Sequence, residues 1–145
     1  MKKALILGVM VVFSLFAVSS AFAGKCPQKR NTKSAPSGTA KMDKTAKADA
    51  AKGKVIYMKK AKPMACQMCH GKKGDGTGKL GKAFKPPKAP RNFTCAATMK
   101  KVSAGQMFWI IKNGSKGTGM VAHKKTLKDK EIWDVVKYVR STFVK

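Results

Sequence analysis

Apolar residues recur at helical spacing in three segments of the chain, whereas no segment alternates between apolar and polar residues as a strand would. The clearest helix is predicted over 127–143, with Thr126 as its cap. Asp129 and Glu131 fall in its first turn, where negative charge stabilises a helix. Its apolar residues stand at i, i+3, i+4, i+7 and i+11, and they are Ile132, Val135, Val136, Val139 and Phe143.

Two shorter helices are predicted before this one. The first runs over 46–60, and the glycine on its apolar face, Gly53, indicates that another helix crosses close to it. The second runs over 104–112 and begins with a capping-box pattern at Ser103. The connection over 71–102 is long and rich in Gly and Pro, which is typical of a functional loop or of a loop around a bound group. The pattern therefore predicts an all-α domain with three main helices and long loops.

The chain divides into three parts. Residues 1–23 have the pattern of an export signal, because two lysines precede an apolar run that ends in a small-x-small cleavage site. An uncleaved membrane anchor is the alternative for this segment. Residues 24–45 are mostly Lys, Ser, Thr and Pro, which predicts a flexible basic linker. Residues 46–145 remain as one domain.

The charge of the chain is strongly one-sided, with a formal net charge of +26. Within 46–145 there are 24 Lys or Arg and 5 Asp or Glu, a net charge of +19. Such a field attracts acidic protein partners or an anionic membrane surface over long distances. A solvated surface without a specific partner is the simpler alternative. Nucleic-acid binding also needs a basic face, but export argues against it. We therefore expect acidic partners and no nucleic acid.

The strongest chemical signal is the motif Cys66-Gln67-Met68-Cys69-His70, which has the spacing of a haem attachment site. Two thiols three residues apart reach the two vinyl groups of one porphyrin. His70, the next residue, then lies under the iron and offers an imidazole nitrogen as an axial ligand. The motif therefore predicts one covalent haem c, with Cys66 and Cys69 as the thioether residues.

A zinc site and a redox dithiol are the alternatives for these cysteines. A zinc site would need two more ligands, and Cys26, Cys95 and His123 stand at no motif spacing. A redox dithiol normally lies in a strand–helix–strand context, which the sequence does not show. In an oxidising compartment Cys26 and Cys95 are able to form a disulfide, but the sequence leaves this open.

A second iron ligand is predicted at Met120, in the segment Gly117-Thr118-Gly119-Met120. The small residues before Met120 allow the chain to pass close over a porphyrin face, and a thioether ligand raises the reduction potential. Met99 and Met107 are rival methionines, although Met107 lies on an apolar helix face. His123 is the alternative ligand and would give a bis-histidine site.

Further residues accompany the motif, and with them residues 46–145 resemble the small class I cytochrome c family. They are Gly53, Tyr57, the Gly-rich run with Lys85-Pro86-Pro87, the Gly119-Met120 loop, Trp133 and Tyr138. The resemblance implies three main helices and long loops wrapped around one covalent haem, with His70 and Met120 as axial ligands. It also implies that Gly53 meets the last helix and that a proline carbonyl, from Pro86 or Pro87, orients the His70 ring. One departure is that Val121 follows the methionine, where the family often has proline.

The sequence therefore predicts a periplasmic monohaem carrier that moves one electron between redox partners, acts as a monomer and is not an enzyme. A haem-bearing subunit or domain of a larger respiratory oxidoreductase is the alternative. A haem peroxidase or ligand sensor would need an open iron site and acid–base groups. The domain has only 5 acidic residues and one histidine besides His70, which disfavours that function.

Overall fold

The structure is a computed structural model that describes residues 26–28 and 32–145. Every regular element in this part of the chain is helical, which confirms the all-α prediction there. The predicted export signal over 1–23 lies outside the described residues. In the part that is described, no helix is long and apolar enough to cross a membrane. The α-helices are α1 (Ser37–Ala40), α2 (Ala50–Val55), α3 (Gln67–His70), α4 (Ala96–Met99), α5 (Ala104–Asn113) and α6 (Asp129–Thr142), with a π-helical turn at Ile56–Lys60 and 3-10 turns at Thr45–Lys47 and Gly81–Ala83.

Helices α2 and α6 cross at Gly53, as the sequence predicts. A Cβ atom at this glycine would collide with the backbone carbonyl of Asp134 and would lie 2.9 Å from the Cβ atom of Tyr138. The Asp134 carboxylate is buried next to the crossing and accepts a hydrogen bond of 2.7 Å from the backbone N–H of Asp49. The crossing is therefore a backbone-to-backbone contact that only glycine allows.

The ends of the helices differ from the prediction where side chains cap them. Helix α2 begins at Ala50, not at residue 46, because the Asp49 carboxylate accepts hydrogen bonds from the first backbone N–H groups of the helix. Helix α6 begins at Asp129, where the Glu131 carboxylate accepts from the backbone N–H of Lys128 at 2.8 Å. Thr126 is not its cap, since its hydroxyl group donates to the carbonyl of Lys62.

Helix α5 begins and ends where the sequence predicts, but only the Ser103 half of the capping box forms, because the Gln106 side chain binds the backbone of Lys33 and Ala35 instead. The Ser103 hydroxyl accepts a hydrogen bond from the backbone N–H of Gln106, and Gly114 ends the helix with a φ of 72°. A positive φ is an ordinary glycine conformation, so the Asn113-Gly114 stop signal is confirmed. Helices α2, α5 and α6 enclose the core, in which the rings of Phe108 and Trp133 stack with centroids 4.6 Å apart.

The segment 24–45 differs from the prediction of a flexible linker in the residues that the structure describes. Ala35 is buried, and its backbone N–H donates to the Gln106 side-chain oxygen at 2.7 Å. The Ser103 hydroxyl donates to the carbonyl of Ala40 at 2.7 Å, so α1 lies against the start of α5. Composition does not reveal this order, because the segment is held by hydrogen bonds to its backbone and by one large apolar side chain, Met42, which packs against the core.

We expect Gly53→Ala to destabilise the protein by about 2 kcal/mol. Overpacking against fixed atoms costs about 1–3 kcal/mol, and the roughly 1 kcal/mol gain in helix propensity does not offset it at a backbone-to-backbone contact. Gly38→Ala is the matched control, because a Cβ atom at Gly38 meets nothing within 4 Å. Chemical denaturation of both variants measures the difference, and equal stabilities would contradict the crossing.

Candidate functional site

One cavity of about 400 Å³ lies beside the Cys-x-x-Cys-His motif. Its volume falls in the range of roughly 300–1,000 Å³ that is usual for cofactor pockets. All four site residues predicted from the sequence, Cys66, Cys69, His70 and Met120, line this cavity. Most of its other lining residues are apolar, among them Phe84, Phe93, Met99, Met107, Ile110, Ile111, Val135 and Val139.

Helix α3 holds the motif in a single helical turn. The backbone N–H of His70 donates to the carbonyl of Cys66 at 2.9 Å, so the cysteines and the histidine lie along one turn. Gly71 ends the turn with a φ of 78°, and its carbonyl accepts a hydrogen bond of 2.7 Å from the buried hydroxyl of Tyr57. This glycine and this tyrosine therefore fix the direction in which the chain leaves His70.

The His70 ring is held in one orientation. Its Nδ1 atom lies 3.1 Å from the carbonyl oxygen of Arg91, and its ring stacks on Phe93 with centroids 4.5 Å apart. A carbonyl oxygen only accepts, so Nδ1 carries the proton and the Nε2 lone pair is available to a metal. Desolvation lowers the pKa of His70 to about 4, and the hydrogen bond to Arg91 opposes this shift only in part. The imidazole is therefore neutral at pH 7, as iron ligation requires.

The prediction that Pro86 or Pro87 supplies this carbonyl is wrong. The acceptor is Arg91, the residue after Pro90. Pro86 and Pro87 instead lie at the exposed edge of the cavity. A long Gly- and Pro-rich loop offers several prolines near the site, and its path between α3 and α4 decides which carbonyl reaches the histidine.

Cys66 and Cys69 form no disulfide, and both side chains line the cavity. Burial raises the pKa of the Cys66 thiol to about 12 and also raises the pKa of the Cys69 thiol. A redox dithiol needs a lowered thiol pKa, so the structure does not favour that alternative. Zinc has no ligand set in the described part of the chain, where no group of three or more His, Cys, Asp and Glu is placed to hold a metal ion. The two remaining cysteines, Cys26 and Cys95, form a disulfide.

The loop before Met120 is closed by its own hydrogen bonds. The carbonyl of Met120 accepts from the backbone N–H of Ser115 at 2.9 Å, and its N–H donates to the Thr118 hydroxyl at 3.2 Å. Gly119 lies against the ring of Phe84, where a Cβ atom would collide with the ring. Met99 and Met107, the rival candidates for the second iron ligand, also line the cavity, but both belong to the hydrophobic core.

Two orphaned polar atoms test whether this cavity fits a haem. Ser115 Oγ and His123 Nδ1 are buried without a hydrogen-bond partner among the described residues, and both residues line the cavity. Burial lowers the pKa of His123. A cavity with a large apolar wall and a few isolated polar atoms suits a flat apolar group that carries a few polar atoms. Cys66, Cys69 and His70 line the same cavity. The residues around the cavity therefore fit a covalently held haem.

The fold and this site define a class I c-type cytochrome. A family model described as cytochrome c oxidase, cbb3-type, subunit III matches residues 48–139, and the chain belongs to that family. Membership implies a covalently bound haem c and a function in electron transfer. None of the curated protein sequences matches the chain.

Several solved structures are similar to the chain, among them the following two. One is from the Kuenenia stuttgartiensis reducing HAO-like protein complex Kustc0457/Kustc0458, with 31% identity and a TM-score of 0.56. The match covers 66% of this chain and 44% of that chain, so the chain spans less than half the length of this relative. The other is the c-type cytochrome SorU from Sinorhizobium meliloti, with 23% identity over 66% of this chain and 92% of that chain, and a TM-score of 0.45.

We expect Tyr57→Phe to destabilise the haem-loaded protein by about 1–2 kcal/mol, because it leaves the buried carbonyl of Gly71 without its donor. Tyr138→Phe is the matched control, since Tyr138 lies in the same core and its hydroxyl has no hydrogen-bond partner within the described ranges. Denaturant titration measures both variants. If Tyr57→Phe costs no more than Tyr138→Phe, the Tyr57 hydroxyl does not stabilise the turn after His70.

Proposed function

We propose that the protein is a periplasmic monohaem cytochrome that carries one electron at a time, with His70 and Met120 as the axial iron ligands. The observation that carries this proposal is the placement of Cys66, Cys69, His70 and Met120 around one apolar cavity. The hydrogen bond of the His70 ring to the Arg91 carbonyl supports the proximal assignment, because it leaves Nε2 free for the iron.

Each residue has a separate task in this function. The bound haem supplies the one-electron couple of its iron. Cys66 and Cys69 hold the porphyrin covalently, so a domain with a small core keeps it permanently. His70 offers a neutral imidazole in a fixed orientation. The Met120 thioether favours the reduced iron, and the closed loop before it keeps the sulfur in place.

The proposed pair of ligands favours a carrier rather than an enzyme, because His70 and Met120 together would occupy both iron positions that the porphyrin leaves open. With both residues bound, the haem would offer no site for peroxide or another small ligand. The described residues also place no pair of carboxylates at the cavity, whose lining includes no Asp or Glu. Acid–base steps on a haem-bound ligand would need such groups.

The location and the partners are proposed from charge and from the disulfide. The Cys26–Cys95 bond supports an oxidising compartment, in agreement with the predicted export signal. The net charge of +26 would draw acidic redox partners into brief encounters. Pro86, Pro87 and Lys88 line the cavity and are exposed, so they form a rim at which such a partner would approach.

A haem-bearing subunit of a larger oxidoreductase is the second candidate. The description of the matching family and the membership of the Kuenenia stuttgartiensis relative in a complex both favour it. A free carrier purifies from its native source as a monomer, whereas a subunit co-purifies with its complex. The assignment of the axial ligands is common to both candidates.

We expect the oxidised wild-type protein to show the weak long-wavelength absorption band of a sulfur–iron bond, and Met120→Ala to lose it. Met107→Leu is the control, because Met107 is a buried methionine that lines the same cavity. It should keep the band. A band that survives in Met120→Ala would exclude Met120 as the ligand. A wild-type spectrum without the band would favour His123, or an open iron site and with it an enzyme.

We also expect Lys88→Glu to slow oxidation of the reduced protein by ferricyanide about threefold at low ionic strength, because it reverses a charge at the cavity rim. Lys54→Glu makes the same change in net charge on an exposed residue that does not line the cavity, and it should slow the reaction less. Stopped-flow kinetics measures both. The difference should vanish in about 1 M salt. Equal slowing by both variants would mean that electrons do not leave through this rim.

A further inference from the structure

A short N-terminal clip, defined as residues Cys26–Gln28, lies against the loop that holds His70. It stands outside the residues 48–139 that the family model matches. The disulfide from Cys26 to Cys95 ties it to the residue before α4, across a sequence separation of 69. Pro27 and Gln28 line the cavity. The clip therefore forms part of one wall of the haem cavity and lies outside the segment that the family model matches.

Gln28 makes four hydrogen bonds to the residues around it. Its side-chain oxygen accepts from the backbone N–H of Asn92 at 2.8 Å, and its side-chain nitrogen donates to the carbonyl of Pro90 at 3.3 Å. Its backbone N–H donates to the Thr98 hydroxyl at 2.8 Å, and its carbonyl accepts from Arg91 Nη1 at 3.4 Å. The Gln28 carboxamide thus binds the backbone on both sides of Arg91, at the carbonyl of Pro90 and at the N–H of Asn92.

One peptide group joins Gln28 to His70. The N–H of Asn92 and the carbonyl of Arg91 belong to the same planar peptide unit. Its N–H end donates to Gln28, and its carbonyl end accepts from His70 Nδ1 at 3.1 Å. Because the unit is planar, fixing its N–H direction also fixes its carbonyl direction. A hydrogen bond at the N–H polarises the carbonyl and makes it a stronger acceptor.

We propose that Gln28 is a positioning residue for the axial histidine, acting through the Arg91–Asn92 peptide, and that the Cys26–Cys95 disulfide is the tether that holds it there. The proposal rests on the proposed function, in which His70 is an iron ligand. Cys26 and Pro27 are exposed and contribute little burial, so the three-residue clip needs a covalent bond to offset the entropy of ordering it.

A simpler explanation is that the clip only covers the cavity and excludes water. Gln28→Leu separates the two explanations, since leucine keeps an apolar side chain over the cavity but lacks the carboxamide. In the haem-loaded, reduced wild-type protein, NMR gives the exchange rate of the His70 Nδ1 proton with solvent. We expect Gln28→Leu to raise this rate about tenfold, because a weakened hydrogen bond protects the proton less.

The reduction potential gives a second readout. A stronger hydrogen bond at Nδ1 makes the imidazole a more basic ligand, which favours oxidised iron. Gln28→Leu should therefore raise the midpoint potential, whereas water admitted by the loss of a cover would lower it by stabilising the charged ferric state. Gln28→Glu keeps an acceptor oxygen for the N–H of Asn92 and should restore proton protection.

Two controls define the scope of the result. Gln106→Leu removes the other glutamine that binds the N-terminal residues, at Lys33 and Ala35, and does not touch the Arg91–Asn92 peptide. It should leave the exchange rate within about twofold of wild type. In a Cys26→Ser/Cys95→Ser background, Gln28→Leu should cause no further change, because the untethered clip no longer holds the peptide.

An exchange rate within about twofold of wild type in Gln28→Leu would overturn the positioning role. An equal increase in Gln106→Leu would also overturn it, since general loosening would then explain both variants. A further increase caused by Gln28→Leu in the disulfide-free background would contradict the tether. If the wild-type spectrum shows no His70 ring resonances shifted by the haem, His70 is not the ligand, and it is the proposed function that fails and this inference with it.

Discussion

The Nδ1–H group of His70 donates a hydrogen bond of 3.1 Å to the carbonyl oxygen of Arg91, and this contact fixes the orientation of the imidazole ring on which the rest of the site depends. It joins the attachment motif on α3 to the far side of the long loop, and it leaves Nε2 free for iron. The turn at Gly71, bound by the Tyr57 hydroxyl, directs the chain out of the motif so that the loop returns to the ring. Phe93 then covers the imidazole from the same loop. The core of three helices keeps two loops at fixed positions around the cavity: the loop that carries Arg91 and Phe93, and the loop that carries Met120.

The net charge of the molecule does not stabilise the fold. A net charge of +26 opposes compaction, and only three ion pairs offset it in the part of the chain described by the structure. Stability must therefore come from the apolar core, the Cys26–Cys95 disulfide and the covalent cofactor that the family implies. The same excess of lysine would give the protein its reach towards anionic partners. The net charge therefore bears on the proposed encounters with partners, whereas the contacts around His70 bear on how a haem would be held.

Local patterns predict those features that depend on local physics. The spacing of apolar residues predicts α6, the Ser103 cap predicts the start of α5, and Gly53 predicts a helix crossing, because each depends on neighbours in sequence or on the absence of a side chain. The identity of the carbonyl that binds His70 depends instead on the path of a long loop, so Pro86 and Pro87 were wrong candidates. The ordered residues of 24–45 depend on distant acceptors such as Gln106, which composition does not reveal. The π-helical turn that ends the first helix at Ile56–Lys60 has no local signal either.

In the proposed function, the imidazole of His70 and the thioether of Met120 would bind the same iron. X-ray absorption at the iron edge of the purified, haem-loaded protein tests this ligation without a variant, because sulfur scatters differently from nitrogen. Ligation by His70 and Met120 predicts a single sulfur neighbour at bonding distance, together with the nitrogens of the porphyrin and of one imidazole. A first shell of nitrogen or oxygen alone would contradict the account, since Met120 would then not be bound, even though it lines the same cavity as His70.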